Sequence, residues 1–257
     1  MHRILFLLCF FCAEVLAHGA VLNVAIAAHD PAASREPGMM TFNRDLANEI
    51  CRNIRRQCVT VDMPFKDILP SIAQGKIHMG FGNYLKTPER EAIADFSDSV
   101  WRSSSRLVGK PKTQQRFAAR LGREVSLESL RDATIVAVQG SRQHAFVESM
   151  ASDSERNIRL KSVVALTEGV AMLRSGEADF ALFVMLVVYP KLNEPAGEKL
   201  VFVGPPMIDQ GLGGNVHIAL SKGDEALRLA VNRALATMRS DGSYHRIVLR
   251  SFPFNLD

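Results

Sequence analysis

The chain has 257 residues, 47% hydrophobic and 23% charged, with a formal net charge of +4, enough for two lobes of about 100 residues each or for one large α/β domain. The positive excess is mild, and arginines such as Arg52, Arg55 and Arg56 fall on a helix surface without interleaved aromatic residues, which argues against a nucleic-acid partner. His29, His78, His144, His217 and His245 stand singly, and neither a Gly-rich phosphate loop nor a Gly-x-Ser-x-Gly elbow occurs, so no metal, cofactor or nucleophilic centre is expected.

At the N-terminus, His2 and Arg3 precede an apolar run from Ile4 to Cys12, and Val15-Leu16-Ala17 offers a small residue for cleavage. Residues 1–17 therefore read as the signal peptide of a protein exported to the periplasm, with the mature chain starting near His18. The run is shorter than the roughly 20 apolar residues that span a bilayer. Cys9 and Cys12 follow bulky Leu8 and Phe11, which is not a lipoprotein context. The mature chain keeps Cys51 and Cys58, at a corner between a helix and a strand. An oxidising compartment permits a disulfide there, worth about 2.5 kcal/mol in the chain-entropy model, and two buried thiols are the alternative.

Val21 to Ala27 reads as a strand, Arg44 to Arg56 as a helix, Val59 to Met63 as a strand, Lys66 to Gln74 as a helix and Met79 to Gly82 as a buried strand. This alternation implies right-handed βαβ crossovers and a mainly parallel sheet. Thr87-Pro88-Glu89-Arg90 then reads as N-cap, N1, N2 and N3 of a helix. The helix dipole disfavours a cation at the position of Arg90, by up to about 1 kcal/mol, unless something negative neutralises it. Two partners fit: a bound carboxylate, or an ion pair with Asp95 or Asp98. Beyond Trp101, Ser104 to Gly109 reads as a strand leaving the first lobe. A second series follows: strand Ile135 to Gln139, a helix from Ser141, strand Arg159 to Val163, a helix around Thr167 to Ser175, and strand Phe180 to Phe183. Gly204-Pro205-Pro206 is expected to break this series. Gly211 to Gly214 leads flexibly into strand Val216 to Leu220, and Glu225 to Arg239 makes an amphipathic helix ended by Asp241-Gly242.

Five segments in register carry a family resemblance: FNRDLA (Phe42 to Ala47), DILPSIAQG (Asp67 to Gly75), GKIHMGFGNYLKTPEREAIADFSD (Gly75 to Asp98), GEAD (Gly176 to Asp179) and MRSDGSY (Met238 to Tyr244). Together they resemble the periplasmic polar amino-acid-binding proteins, bacterial extracellular solute-binding family 3, which include the histidine and lysine-arginine-ornithine binders of ABC importers. The resemblance implies a two-lobed α/β fold of type II, each lobe a mainly parallel sheet flanked by helices, joined by two crossing strands. Lobe 1 would take residues 18–105 plus 214–257 and lobe 2 residues 106–213, with hinges near 103–109 and 209–216. It implies a monomer that closes on a small solute and delivers it to a membrane ABC permease. The histidine-binder branch carries a cysteine pair at this place and spacing, which favours a Cys51–Cys58 bridge.

The resemblance also implies roles for single residues. The arginine at the position of Arg90 grips the ligand's α-carboxylate with two parallel hydrogen bonds. Asn83 stands where the family has a small or hydroxyl residue, and Leu85 where it has a threonine or serine, so part of the carboxylate cradle is missing. Phe65 borders the ligand side chain or belongs to the core. Ser141 caps the second lobe's helix and either meets a ligand oxygen or belongs to a simple βα turn, and Arg142 is either a second cation facing the cleft or a solvated surface group. Val184 replaces the aspartate that binds the α-ammonium; Ala27 and Ala33 replace an acidic and an aromatic residue, and Asp30 is the nearby acid that would restore the charge. The expected ligand is thus a small solute with at least one carboxylate, amino-acid-like or an organic acid, with a standard α-amino acid disfavoured and a modified amino acid or a derivative lacking a free ammonium among the candidates. Two alternatives stand beside this reading: a cyclohexadienyl-dehydratase-like enzyme, which needs an acid where Gly140 to His144 offers none, and a sensor that presents its closed form to a membrane kinase.

Overall fold

The computed structural model describes residues 21–28, 38–192, 194, 197–252 and 256. The expected signal peptide, with Cys9 and Cys12, and also His29, Asp30 and Ala33, lie outside them. Two mixed sheets organise the chain. The first holds six strands, ordered β2 (Cys58–Met63), β1 (Leu22–Ala27), β3 (Met79–Leu85), β11 (Gly214–Leu220) and β4 (Asp95–Phe96), with β5 (Trp101–Ser103) also pairing β11. The second holds five, ordered β10 (Val201–Met207), β6 (Ser105–Gly109), β9 (Phe180–Val184), β7 (Thr134–Val138) and β8 (Arg159–Val163).

Each sheet is parallel along one side only, so the expected mainly parallel sheets are mixed, with the strands nearest the sheet crossings antiparallel. β1 lies parallel to β2 and β3, and β7 lies parallel to β8 and β9. These are the strands that strand–helix alternation predicts to be joined by crossovers. The inner ones, β1, β3, β7 and β9, are buried on both faces while the edge strands β2 and β8 stay largely exposed, and β1 shows how the burial is made. Val24 and Ile26 face α1 (Met39–Asn53), α8 (Glu225–Ser240) and α9 (Ser243–Ser251), with Phe42, Leu46, Val231 and Ile247 in the same cluster. Ala25 and Ala27 face α2 (Phe65–Ala73) through Phe65, Ile68 and Ile72. In the second sheet Ile135 and Phe180 pack with α4 (Pro111–Leu121) and α5 (Arg142–Ala151), while Val136 and Ala181 pack with α6 (Leu166–Ser175) and α7 (Met185–Val188).

The antiparallel strands are the ones through which the chain changes sheet. β5 belongs to the first sheet and β6, one residue later, to the second; β10 returns through residues 208–213 to β11. β10 corrects an expectation, because Gly204-Pro205-Pro206 does not break the series. The prolines lie in a strand at the sheet's edge, where a missing N–H leaves no ladder bond unmade, and the register shifts between Val203 and Met207. α1 also begins ahead of Arg44, since Met39, Met40 and Phe42 are buried and extend its apolar face. Cys51 and Cys58 form a disulfide with Cα atoms 6.2 Å apart, tying the last turns of α1 to the first residue of β2.

Candidate functional site

The C-terminal end of β3 carries the first half of the site. Gly82 gives way to Asn83, whose φ of 58° is left-handed, a conformation asparagine tolerates better than most residues. Its Nδ2 is buried without a partner among the described residues. Tyr84 is fully buried and folds back along the strand: a Cβ on Gly82 would stand 2.5 Å from its ring. The ring stacks on Phe65 with centroids 5.0 Å apart, and its hydroxyl donates to the Phe65 carbonyl at 3.4 Å. Burial pushes the Tyr84 phenol well above its ordinary pKa, so the group stays neutral.

After Leu85 the chain enters α3 (Pro88–Glu91), the single turn predicted by the Thr-Pro-Glu-Arg spacing. Thr87 caps it by accepting from the Arg90 N–H at 3.3 Å, and Pro88 sits at N1. The Arg90 side chain turns back into the gap between the sheets. Its Nη1 donates to the Leu85 carbonyl at 2.9 Å, and its Nη2 crosses to the Gly140 carbonyl at 3.3 Å. The guanidinium lies 5.3 Å from the Tyr84 ring centroid and 5.8 Å from that of Phe65. Burial lowers its pKa and Arg142 pushes the same way, against Tyr84 and Glu89; an arginine remains charged throughout. The expected alternative, an ion pair with Asp95 or Asp98, does not form. Asp95 binds Lys222 at 3.0 Å and the Gly223 N–H at 2.8 Å, and no described carboxylate pairs with Arg90. Of the five guanidinium N–H groups two are used, so three remain to bind an anion.

The facing half comes from the β7–α5 turn. Ser141 is the N-cap of α5 and accepts from the His144 N–H at 3.0 Å, so its own proton is left to donate. Arg142 follows at the first helical position, with its Nη2 so close to Gly211 that a Cβ there would lie 2.5 Å away. Gln143 is buried, and its Nε2 donates to Ser105 Oγ at 2.7 Å; Ser105 in turn donates to the Leu212 carbonyl. Val184 closes the wall at the end of β9.

These parts enclose one cavity, with an empty volume of about 600 Å³ including its open mouth. Phe65, Asn83, Leu85 and Arg90 line it from the first sheet's side, and Ser141, Arg142 and Val184 from the second's. Phe65 is both core and wall: it belongs to the cluster under α2 and still faces the cavity. The rest of the lining is mostly apolar, from Val138, Leu166, Leu182, Phe183 and Val187, and no described lining residue is an aspartate or glutamate. Sequence reasoning did not single out Gln143, although its place two residues after a cap at the end of a buried strand points it at the same turn. It also passed over Tyr84, which reads as an ordinary strand aromatic. At the mouth, Lys66 Nζ donates to Gln139 Oε1 at 3.1 Å, a second bond across the gap beside that of Arg90. Among the described residues no group of three or more His, Cys, Asp or Glu is placed to hold a metal, and no helix is long and apolar enough to cross a membrane.

The pattern of the bacterial extracellular solute-binding proteins, family 3, matches residues 22–253. The chain is 28% identical over 220 residues to the histidine-binding periplasmic protein of Escherichia coli K12, covering 85% of this chain and 81% of that one. To the lysine/arginine/ornithine-binding periplasmic protein of the same strain it is 28% identical over 219 residues, covering 84% and 80%. Among solved structures, an ancestral arginine-binding protein bound to arginine superposes with a TM-score of 0.75 at 26% identity, over 91% of this chain and 99% of that one. The GluR0 ligand-binding core from Nostoc punctiforme, in complex with L-glutamate, superposes with a TM-score of 0.71 over 90% of this chain and 98% of that one; at 17% identity it shares the fold alone. The architecture is the type II periplasmic-binding-protein fold.

Proposed function

The chain belongs to the bacterial extracellular solute-binding proteins of family 3, and on that premise we propose that it is the exported receptor of an ABC importer, capturing a small solute that carries a carboxylate and lacks a free ammonium. One observation carries the reading: Arg90, without a carboxylate partner among the described residues, presents its remaining donors to a cavity lying between two sheets. A guanidinium fork matches a carboxylate bidentately. Val184 stands where an ammonium would need an acid, and burying an ammonium without one is costly. The named relatives bind histidine and the basic amino acids, which supports a solute of amino-acid size.

In this reading residues 18–105 with 214–257, and 106–213, are lobes that close about hinges near 103–109 and 209–216. Solute shifts the protein toward the closed form, and the monomer presents that form to its permease in the periplasm. Arg90 grips the carboxylate, Ser141 donates to one of its oxygens or to a neighbouring one, and Asn83, Leu85, Phe65 and Val184 shape the pocket. The test is isothermal titration of refolded, ligand-free protein against a panel of organic acids, acylated amino acids and free amino acids. At least one acid binds, and Arg90→Ala weakens it by roughly 30-fold or more, the cost of leaving a desolvated carboxylate unpaired being about 2–5 kcal/mol. Equal binding by Arg90→Ala, or no binding by any acid, refutes the proposal.

A further inference from the structure

We infer that the captured solute is a compact dicarboxylate, its second acid group held by Arg142. The inference rests on the cavity being the solute site and goes beyond it, to the number of charges the solute carries. The Arg142 side chain makes no hydrogen bond or ion pair among the described residues, yet it is half-buried at the start of α5, its guanidinium against Gly211 in the return to β11. A side chain of such reach with nothing to bind would normally swing into water. Here the absence of a Cβ on Gly211 leaves it a berth on the cavity wall instead.

Charge then decides the ligand class. Arg90 and Arg142 both line the cavity, close enough that Arg142 depresses the pKa of Arg90. The acid that feels both of them, Glu89, is exposed and forms an ion pair with neither. With apolar walls at Val138, Leu166 and Val184, closing over a monoacid would leave one guanidinium desolvated and unneutralised. An α-amino acid would add a third positive charge. A dianion balances both cations, and its second carboxylate also meets the free N–H groups of the first turn of α5, where the helix dipole favours an anion. The apolar stretch between the two charges calls for a short hydrocarbon spacer.

The test titrates ligand-free protein with the dicarboxylates from succinate to adipate, their monoamides, the monocarboxylates from butyrate to hexanoate, and L-glutamate. One dicarboxylate is expected to bind at least about 10-fold more tightly than its own monoamide, a charge-assisted contact being replaced by a neutral one. In Arg142→Gln that ratio falls to about one, and Gly211→Ala, which pushes on the same guanidinium, lowers it too. Thermal unfolding of each variant shows that it is folded. Equal binding of dicarboxylate and monoamide by the native protein, or a preference that survives Arg142→Gln, overturns the inference. So does tightest binding by L-glutamate, whose ammonium the charge balance argued here excludes, whether or not Asp30→Asn then weakens it. Binding of another acid, such as an acylated amino acid, with none by this series also overturns the inference; failure of the solute reading itself is a separate result, in which no acid of any kind binds or Arg90→Gln has no effect on those that do.

Discussion

Replacing Ser105 by alanine removes one hydroxyl and strands two buried groups. Ser105 is fully buried at the start of β6; it accepts from Gln143 Nε2 at 2.7 Å and donates to the Leu212 carbonyl. It thereby pins the first crossing segment to the second and both to the cap of α5. A buried donor or acceptor left without a partner costs about 1–3 kcal/mol, so losing both bonds should cost roughly 3 kcal/mol. For a protein of this size that corresponds to a fall in Tm of roughly 6–12 °C. Urea unfolding of ligand-free protein, followed by circular dichroism and by the fluorescence of Trp101, the single tryptophan and itself buried in the neighbouring β5, reads the change. A Gln143→Leu background separates the two bonds. With the donor already gone, Ser105→Ala should cost about half as much, the non-additivity marking a shared contact. A loss below about 0.5 kcal/mol, or strictly additive costs, would refute the relay.

Three further outcomes follow from the same geometry. Cys51 and Cys58 lie seven residues apart in sequence, and reducing the bridge, or mutating both residues to serine, should cost about 2.5 kcal/mol in urea unfolding, as closing so short a loop predicts; no shift with reductant would contradict it. His217 donates its Nδ1–H to the Ser97 carbonyl at 2.8 Å, and burial holds its pKa below the ordinary value despite that bond. A depressed histidine pKa means the unfolded chain takes up the proton first, so the His217 contribution is intact above about pH 6.5 and is lost as pH falls through the folded value. His217→Gln should flatten the stability profile just below about pH 6.5 and leave the carboxylate-driven loss at lower pH unchanged; an unaltered slope counts against it. Gly82→Ala places a Cβ 2.5 Å from the buried Tyr84 ring. Overpacking of this kind costs about 1–3 kcal/mol, and because Tyr84 supports Phe65 and Arg90, solute affinity should fall with stability; thermal shift and titration measure the two, and a neutral variant would show that the ring has room to move.

The strands that read clearly from sequence are those buried on both faces. Met79 to Gly82, Ile135 to Gln139 and Phe180 to Phe183 are apolar runs because both sides of the sheet are covered by helices. The edges were less legible. β10 contains Gly-Pro-Pro, a breaker by composition that an edge position tolerates, and α4 buries only Thr113 and Phe117, too thin an apolar stripe to be seen. At the site, Arg90 stood out because a cation in a first helical turn needs a neutralising partner, and only the fold shows that Asp95, a local candidate, is bound to Lys222 and Gly223 instead. Its acceptors did not, since the Gly140 carbonyl is 50 residues away and a backbone oxygen leaves no trace in residue type. Arg142 was ambiguous, and Gln143 unnoticed, for a related reason: the turn that aims them is visible, but whether a side chain leans into the gap or into water depends on Gly211 and Ser105, which arrive from the segments that change sheet.

The contacts across the mouth are suited to being broken. Arg90 to the Gly140 carbonyl and Lys66 to Gln139 are hydrogen bonds at exposed positions, each worth about 1 kcal/mol or less, and they work against the mutual repulsion of Arg90 and Arg142 in a cavity with apolar walls. In the proposed receptor the two terms have opposite sign, and the empty protein exchanges between an open and a closed form. Moving such an equilibrium from 1:99 to 99:1 takes about 5.5 kcal/mol of differential affinity. Two charge-assisted contacts at about 1.5–3 kcal/mol each, made fully only when both guanidinium groups face the same solute, supply roughly that amount. A solute that satisfies Arg90 alone would supply half and close the cleft incompletely. The second cation would then select what is delivered as well as what is bound.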